Sequence, residues 1–304
     1  QECAPSPCQS MQPMQLSVIV PTHNRQEPLR VCLESLQRQD VDPSTLEVVV
    51  VDDGSDTDMR SLVAEVAQKG PVPMRCERQR ATGLNAARNR GAASSSGDVL
   101  AFLDDDTLVS AGWASALIAA FESEPCAGVG GMIELKLAGP APPWLATRRN
   151  YLAEYDLGPE PAWIDREPVP VGANCAVRRS EFERIGGFRA GLDRIGGSLV
   201  SNGDTEFFLR MHRSGGRLRY EPSAQVFHCV PADRLTLRYF ARRYHAQGVS
   251  DELLFSDRGE AVRLRGRLGR ARYIAASANW MFKDAIRGRS AVDGWLSLHY
   301  WLGR

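Results

Sequence analysis

Along the first 125 residues, short apolar runs alternate with segments whose apolar positions recur at helical spacing. Residues 16–21 (LSVIVP) are a β-branched run closed by proline, which predicts a buried strand. Residues 25–39 bring Leu29, Cys32, Leu33 and Leu36 onto one helical face. The same reading predicts strands over 46–51, 74–78 and 99–103, and helices over 61–67, 84–93 and 111–121. This alternation implies a doubly wound, mostly parallel α/β sheet. Ligands of such sheets sit outside the carboxyl ends of the strands. Pro21, Asp52-Asp53 and Asp104-Asp105-Asp106 all fall at such ends, so three polar clusters are expected on one rim.

Past residue 125 the alternation breaks. A strand is predicted over 128–136, then a long Pro- and Trp-rich loop over 138–170 of the kind that serves as a lid or binding loop. A strand over 171–177, helices over 179–185 and 204–214, and closing strands over 217–220 and 224–227 follow. From residue 235 onward the pattern is helical and rich in arginine. Three regions result: a flexible lead-in (1–15), an α/β body (16–233) and a basic, aromatic helical segment (234–304).

Composition narrows the function classes. The 304 residues are 43% hydrophobic and 24% charged, with 37 basic against 37 acidic side chains. Net neutrality excludes a polycationic nucleic-acid binder. The balance is uneven, since residues 1–233 carry 23 basic and 31 acidic groups, and residues 234–304 carry 14 and 6. Seven cysteines, an odd number without a C-x-x-C pair, speak against a zinc or thioredoxin-like site and for free thiols in a reducing compartment. No run of 18 apolar residues and no signal-peptide pattern is present, so a cytoplasmic location is expected.

Three adjacent carboxylates at a strand end repel one another unless cations neutralise them. Hard oxygen ligands there suit Mg²⁺ or Mn²⁺, although a solvated turn or helix cap also favours aspartate. In VDDGS (51–55), a carboxylate at the strand end can accept from a base N–H or a ribose hydroxyl, and Gly54 permits the turn. A helix cap at Ser55 or Asp56 is the plainer alternative. Neither a G-x-G-x-x-G after the first strand nor a G-x-x-x-x-G-K-[ST] occurs, which removes the dinucleotide and P-loop readings.

These pieces stand in the order LSVIVPTHNR (16–25), VVVVDDGS (48–55), TGLNAARNRGA (82–92), FLDDDT (102–107), GANCAVRR (172–179), GGF (186–188), NGDTEFFLR (202–210) and VFHCVP (226–231). Over residues 16–250 the chain resembles the family 2 glycosyltransferases of the GT-A fold. The resemblance implies a nucleoside-diphosphate sugar donor, uridine being the family's usual nucleoside, and Mn²⁺ or Mg²⁺ as cofactor. It implies that Pro21, His23, Arg25 and Asp53 hold the nucleotide, with Gly83 and Arg88 beneath the diphosphate. Asp106 matches the metal ligand, Asp104 or Asp105 a contact to ribose or metal-bound water, and Gly172 and Asn174 the sugar and acceptor pocket. Asp204 matches the general base of an inverting transfer, in a segment that reads Gly203-Asp204 where many members have Glu-Asp. His228 matches a histidine that completes the metal shell in some members. Glu206, Arg242, Arg243 and Tyr244 are candidate acceptor contacts; for Glu206, a pairing with Arg210 at i+4 competes.

The implied acceptor is a saccharide, a lipid-linked saccharide or a small molecule. A nucleotidylyltransferase and a catalytically silent sugar-nucleotide binder are the alternative readings. In the C-terminal segment, Trp280, Phe282, Trp295, Tyr300 and Trp301 interleave with arginines. This suits either peripheral contact with an anionic membrane at its inner face or packing against the body or a second subunit.

Overall fold

The apolar runs become the interior of one sheet. The computed structural model describes residues 13–194, 198–256 and 292–303. β1 (Leu16–Thr22), β2 (Leu46–Asp53), β3 (Met74–Gln79) and β4 (Val99–Leu103) pair in parallel in the order β3-β2-β1-β4. Every residue of β1 and β4 is buried, as strands covered on both faces require. The helices α1 (Gln26–Leu36), α2 (Arg60–Ala67) and α3 (Leu84–Ser94) connect them. α3 packs on β1 and β2, and α1 turns Leu29, Cys32, Leu33 and Leu36 into the core. Because β1, β2 and β4 run in one direction, Thr22, Asp53 and Asp104 leave the sheet at the same rim.

Beyond β4 the sheet is mixed. β5 (Thr107–Val109), β6 (Gly128–Leu137), β7 (Ala162–Ile164), β8 (Asn174–Arg178) and β9 (Leu218–Val230) extend it in the order β4-β8-β6-β9-β5, with β7 on β9. β8 lies antiparallel to β4 with Leu103 opposite Asn174, which returns residues 172–174 to the carboxylate rim. The expected strands at 217–220 and 224–227 are one strand, β9. Pro222 and Ser223 read as a break, but they fall where the register against β6 shifts between Gly131 and Ile133, so no ladder N–H is demanded there. Strand β8 begins at Asn174 and not at 171, and β5 is too short to announce itself by pattern. The loop at 138–170 contains two 3₁₀ turns and β7.

α4 (Trp113–Ser123), α5 (Arg179–Ile185) and α6 (Gly203–Arg213) complete the body. α7 (Leu237–Ser256) and α8 (Val292–Gly303) pack on each other and on β6 and β9 through a second core of Leu135, Leu145, Leu152, Val230, Leu235, Phe240 and Leu296. Tyr239, Phe240, Tyr244 and Trp295 of the C-terminal segment therefore pack into this second core, and Arg148 pairs with Asp293 across this joint. Trp280, Phe282 and the arginines at 263–289 lie outside the described residues, as do Cys3 and Cys8. The five described cysteines are free thiols, and no helix among the described residues is long and apolar enough to cross a membrane.

Candidate active site

The carboxyl rim opens into a cleft with two lobes. The smaller, about 200 Å³, is lined by Pro21, His23, Arg25, Asp53, Asp104, Asp105, Arg194 and Arg234 among others. The larger, about 570 Å³, is lined by Arg88, Asp104, Tyr151, His228, Arg234, Asp204 and Arg243 among others. Leu84, Asp104, Arg194 and Arg234 border both, so the lobes are continuous.

In the smaller lobe, Asp53 Oδ1 accepts from Thr82 N (2.9 Å) and Gln79 Nε2 (2.8 Å), and Oδ2 accepts from Gly83 N (2.9 Å). The carboxylate thus pins the loop that enters α3, where Gly83 adopts φ +105°, a backbone region that side chains disfavour. The His23 Nδ1–H donates to Asp53 O (2.8 Å), which faces its ring along the lobe wall.

The three aspartates separate by orientation. Asp104 points into the cleft and pairs with Arg88 (3.1 Å), whose Nη2 also donates to Gly172 O (3.0 Å). Asp105 turns inward, accepting from Thr22 Oγ1 (2.8 Å) and Arg25 Nη1 (2.6 Å). Burial raises its pKa, Arg25 opposes that, and Asp106 adds to the rise. Asp106 meets His228 Nε2 (3.2 Å), Arg25 Nη2 (2.8 Å) and Arg234 Nη1 (3.3 Å), all on one oxygen. Burial alone would raise its pKa, but His228, Arg25 and Arg234 reverse this and hold the carboxyl far below the usual carboxylate range. Burial likewise opposes the His228 imidazolium, and Asp106 overcomes it, raising that pKa.

His228 does not follow a strand, as the sequence suggested; it sits inside β9, opposite Thr107 of β5. That antiparallel pair brings it to Asp106, whose carbonyl accepts from Cys229 N (2.8 Å). Nδ1 of His228 lies 2.7 Å from the carbonyl of Leu152, which can only accept, so Nδ1 carries a proton and Nε2 faces Asp106.

Asp204 stands in the first turn of α6 at the wall of the larger lobe. Its Oδ2 accepts from Gly172 N (2.8 Å) and its Oδ1 from Thr205 N (2.8 Å). Acidic groups are favoured at a helix start, which helps hold the carboxylate in this place. Asn202, ahead of it, takes φ +83° and is clamped by Asp251 Oδ1 (2.8 Å) and Gln247 Nε2 (2.9 Å) from α7. Tyr300 of α8 donates to the other oxygen of Asp251 (2.6 Å), so the C-terminal helices brace the Asp204 loop. Gly203 leaves no room for a side chain, because a Cβ there would collide with the buried Asn85 amide.

Several expected contacts do not reach the cleft. Asn174 is fully buried; it accepts from Trp113 Nε1 (2.9 Å) and donates to the carbonyls of Met132 (2.9 Å) and Ala224 (2.7 Å). It ties α4, β6 and β9 together and lines neither lobe. Replacing Asn174 with alanine would leave three buried groups unpaired at about 1–3 kcal/mol each. We expect Tm to fall by roughly 5–10 °C while the donor KM of the folded enzyme stays unchanged, read by thermal denaturation and steady-state kinetics. Gly172 acts through its backbone, between Asp204 and Arg88. Glu206 turns away to Arg210 (2.9 and 3.0 Å) and Arg189 (3.2 Å), because one helical turn separates it from Arg210 while Asp204 faces the cleft. Tyr244 stacks on Tyr151 with centroids 4.2 Å apart, and Tyr151 is the ring that meets the cleft. Arg242 faces a separate groove with Trp295 and His299, whereas Arg243 on the opposite face of α7 lines the larger lobe.

Arg194, Arg234, Thr22, Asn85, Tyr151, Gln247, Asp251 and Tyr300 join the site or its frame without a local sequence signal. They come from the end of β1, from loops and 3₁₀ turns, or from positions on α3, α7 and α8, where periodicity says only which face is apolar.

Comparison with known proteins agrees with this architecture. The chain is 27% identical over 282 residues to the succinoglycan biosynthesis protein ExoM of Rhizobium meliloti, covering 90% of this chain and 87% of that one. It is 26% identical over 252 residues to the glucosyl-dolichyl phosphate glucuronosyltransferase of Haloferax volcanii, covering 79% and 77%. Its fold superposes on the mannosyltransferase PcManGT from Pyrobaculum calidifontis in complex with GDP-Man and Mn²⁺ with a TM-score of 0.62. That match has 20% identity and covers 96% of this chain and 86% of that one. Residues 17–186 match the model of glycosyl transferase family 2, and with the GT-A arrangement of its sheet the chain belongs to that family of glycosyltransferases.

Proposed function

We propose that the enzyme moves a sugar from a nucleoside diphosphate, with inversion, to an acceptor hydroxyl, using Asp204 as general base and a divalent cation held by Asp106 and His228. The observation that carries this reading is the single lobe lined by both His228, which pairs with the buried Asp106 behind it, and Asp204. The smaller lobe receives the nucleotide and the larger one the sugar and acceptor. The mannosyltransferase whose fold it shares was solved with GDP-Man and Mn²⁺, which supports the same donor class here.

The residues fit a divalent ion. Asp106 Oδ2 and His228 Nε2 lie 3.2 Å apart, and the Nδ1–H donation to Leu152 O orients the ring with its other nitrogen toward the aspartate. Among the described residues, no three His, Cys, Asp or Glu side chains already form a cation cluster. Two protein ligands suffice where diphosphate oxygens and water complete the shell, as is usual for Mg²⁺. When bound, such an ion acts as a Lewis acid that stabilises the charge of the departing diphosphate. Arg25 and Arg234, already turned to Asp106, add positive charge at the same place.

A sugar hydroxyl is a weak nucleophile near neutral pH. Asp204 takes its proton as the oxygen attacks the anomeric carbon, and the bond to the diphosphate breaks on the opposite face. No second carboxylate is needed for this one-step course. A thermal-shift screen across uridine, guanosine and thymidine diphosphate sugars tests the reading. One series is expected to raise Tm with Mn²⁺ and to lose the shift with EDTA. Product analysis must then show free nucleoside diphosphate; pyrophosphate would indicate nucleotidyl transfer, and no product a silent binder.

A further inference from the structure

Arg194 and Arg243 stand apart from the other cleft arginines. Arg25, Arg88 and Arg234 each pair with a carboxylate of the Asp104–Asp106 cluster. Neither Arg194 nor Arg243 forms an ion pair with any described carboxylate, although both line the larger lobe. Arg243 Nη1 donates to the neutral Gln247 Oε1 (3.0 Å), its carbon lies 6.0 Å from the Tyr151 ring centroid, and its Nε is buried without a partner. Burial and the neighbouring Arg194 guanidinium lower the Arg243 pKa from the ordinary arginine value, against weaker opposing pulls from Tyr239, Tyr151 and Asp204. A half-buried guanidinium that faces a cleft and has no ion pair is a candidate contact for a ligand anion.

Arg243 lines only the lobe that contains Asp204, whereas Arg194 borders both. Two guanidinium groups present two donor forks and two positive charges. A phosphate group carries about −1.5 to −2 charge near pH 7, which matches that pair; a single carboxylate would leave one cation uncompensated. Resting on the glycosyltransferase reading above, we propose that the acceptor bears a phosphate or diphosphate beside the attacking sugar, and that Arg243 with Arg194 binds it. The same chemistry is met on a lipid carrier and on a soluble sugar phosphate.

The test uses the full chain saturated with Mn²⁺ and the nucleoside diphosphate retained in the donor screen. Calorimetry then compares farnesyl diphosphate, glucose 1-phosphate and uncharged octyl glucoside. At least one phosphate-bearing probe is expected to bind about tenfold or more tighter than octyl glucoside. Arg243→Gln should lose that difference, Arg243→Lys should keep part of it, and nucleoside diphosphate affinity should stay unchanged in both. Arg243→Gln should also leave Tm close to unchanged, since the half-buried guanidinium makes no ion pair; a purely structural guanidinium would lower it. Preference for farnesyl diphosphate assigns the phosphate to a lipid carrier, and preference for glucose 1-phosphate to a soluble sugar phosphate. Equal binding of all three probes, or unchanged phosphate binding in Arg243→Gln, overturns the proposal. So does a matching loss of nucleoside diphosphate affinity, which would give the guanidinium to the donor. Failure of the unmodified protein to bind any nucleoside diphosphate would instead remove the donor reading beneath it.

Discussion

Asp204→Asn is expected to lower kcat by ~10³-fold with donor affinity preserved, the loss that removal of a general base produces. The amide cannot take the acceptor proton, while the smaller lobe proposed for the nucleotide does not include Asp204 and keeps its lining. The substitution carries a second, local cost. Asp204 accepts from two backbone N–H groups, of Gly172 and Thr205, and an amide can offer an oxygen to only one of them. Asp204→Ala removes that donor clash and serves as the companion variant. Both should release nucleoside diphosphate at the same low rate, measured by a coupled assay under donor saturation. Turnover near that of the unmodified enzyme in either variant would move the base elsewhere.

Asp106→Ala is expected to abolish the Mn²⁺ dependence of donor binding and to destabilise the fold. The loss of the carboxylate leaves His228, Arg25 and Arg234 facing one another without the group that neutralises them. Breaking a buried ionic cluster by removing one partner costs about 3–5 kcal/mol. Calorimetric titration of the donor with and without Mn²⁺ separates this from simple unfolding, because the metal-dependent increment must vanish in the folded fraction. Asp106→Asn keeps the shape and one acceptor oxygen, so it should recover part of the stability with little of the metal dependence. An affinity that still rises with Mn²⁺ in both variants would count against Asp106 as ligand.

The rim was legible because it depends on local pattern. The apolar runs of β1, β2 and β4 are buried on both faces over nearly all their length, as parallel strands of a covered sheet require. Once those strands are parallel, Asp53 and the triple aspartate must share an edge. The motif order extended this to Asp204 and His228 and to the family itself.

What remained hidden involved direction and partner. Asn174 was assigned to the pocket, yet it is turned inward by Trp113 and two carbonyls. Motif position places a Cα but not the side of the strand on which the amide finds its partners. The two roles of neighbouring Arg242 and Arg243 follow from the helix turning about 100° per residue, and which of the two faces the cleft depends on where α7 docks.

By itself, then, the amino-acid order determined which segments must be buried, at which strand ends the acids emerge, and which family the chain joins, since each follows from contacts close in sequence or from an ordered set of motifs. Only the tertiary structure decided that Asp106 and His228, matched by motif to one metal shell, pair directly, that Asp105 turns to Arg25, and that Arg194 and Arg243 share a lobe without an ion pair. Those pairings join residues up to 122 positions apart through the antiparallel addition of β9 to β5 and the docking of α7. Electrostatic partners are chosen by distance in space, and no local pattern encodes that distance.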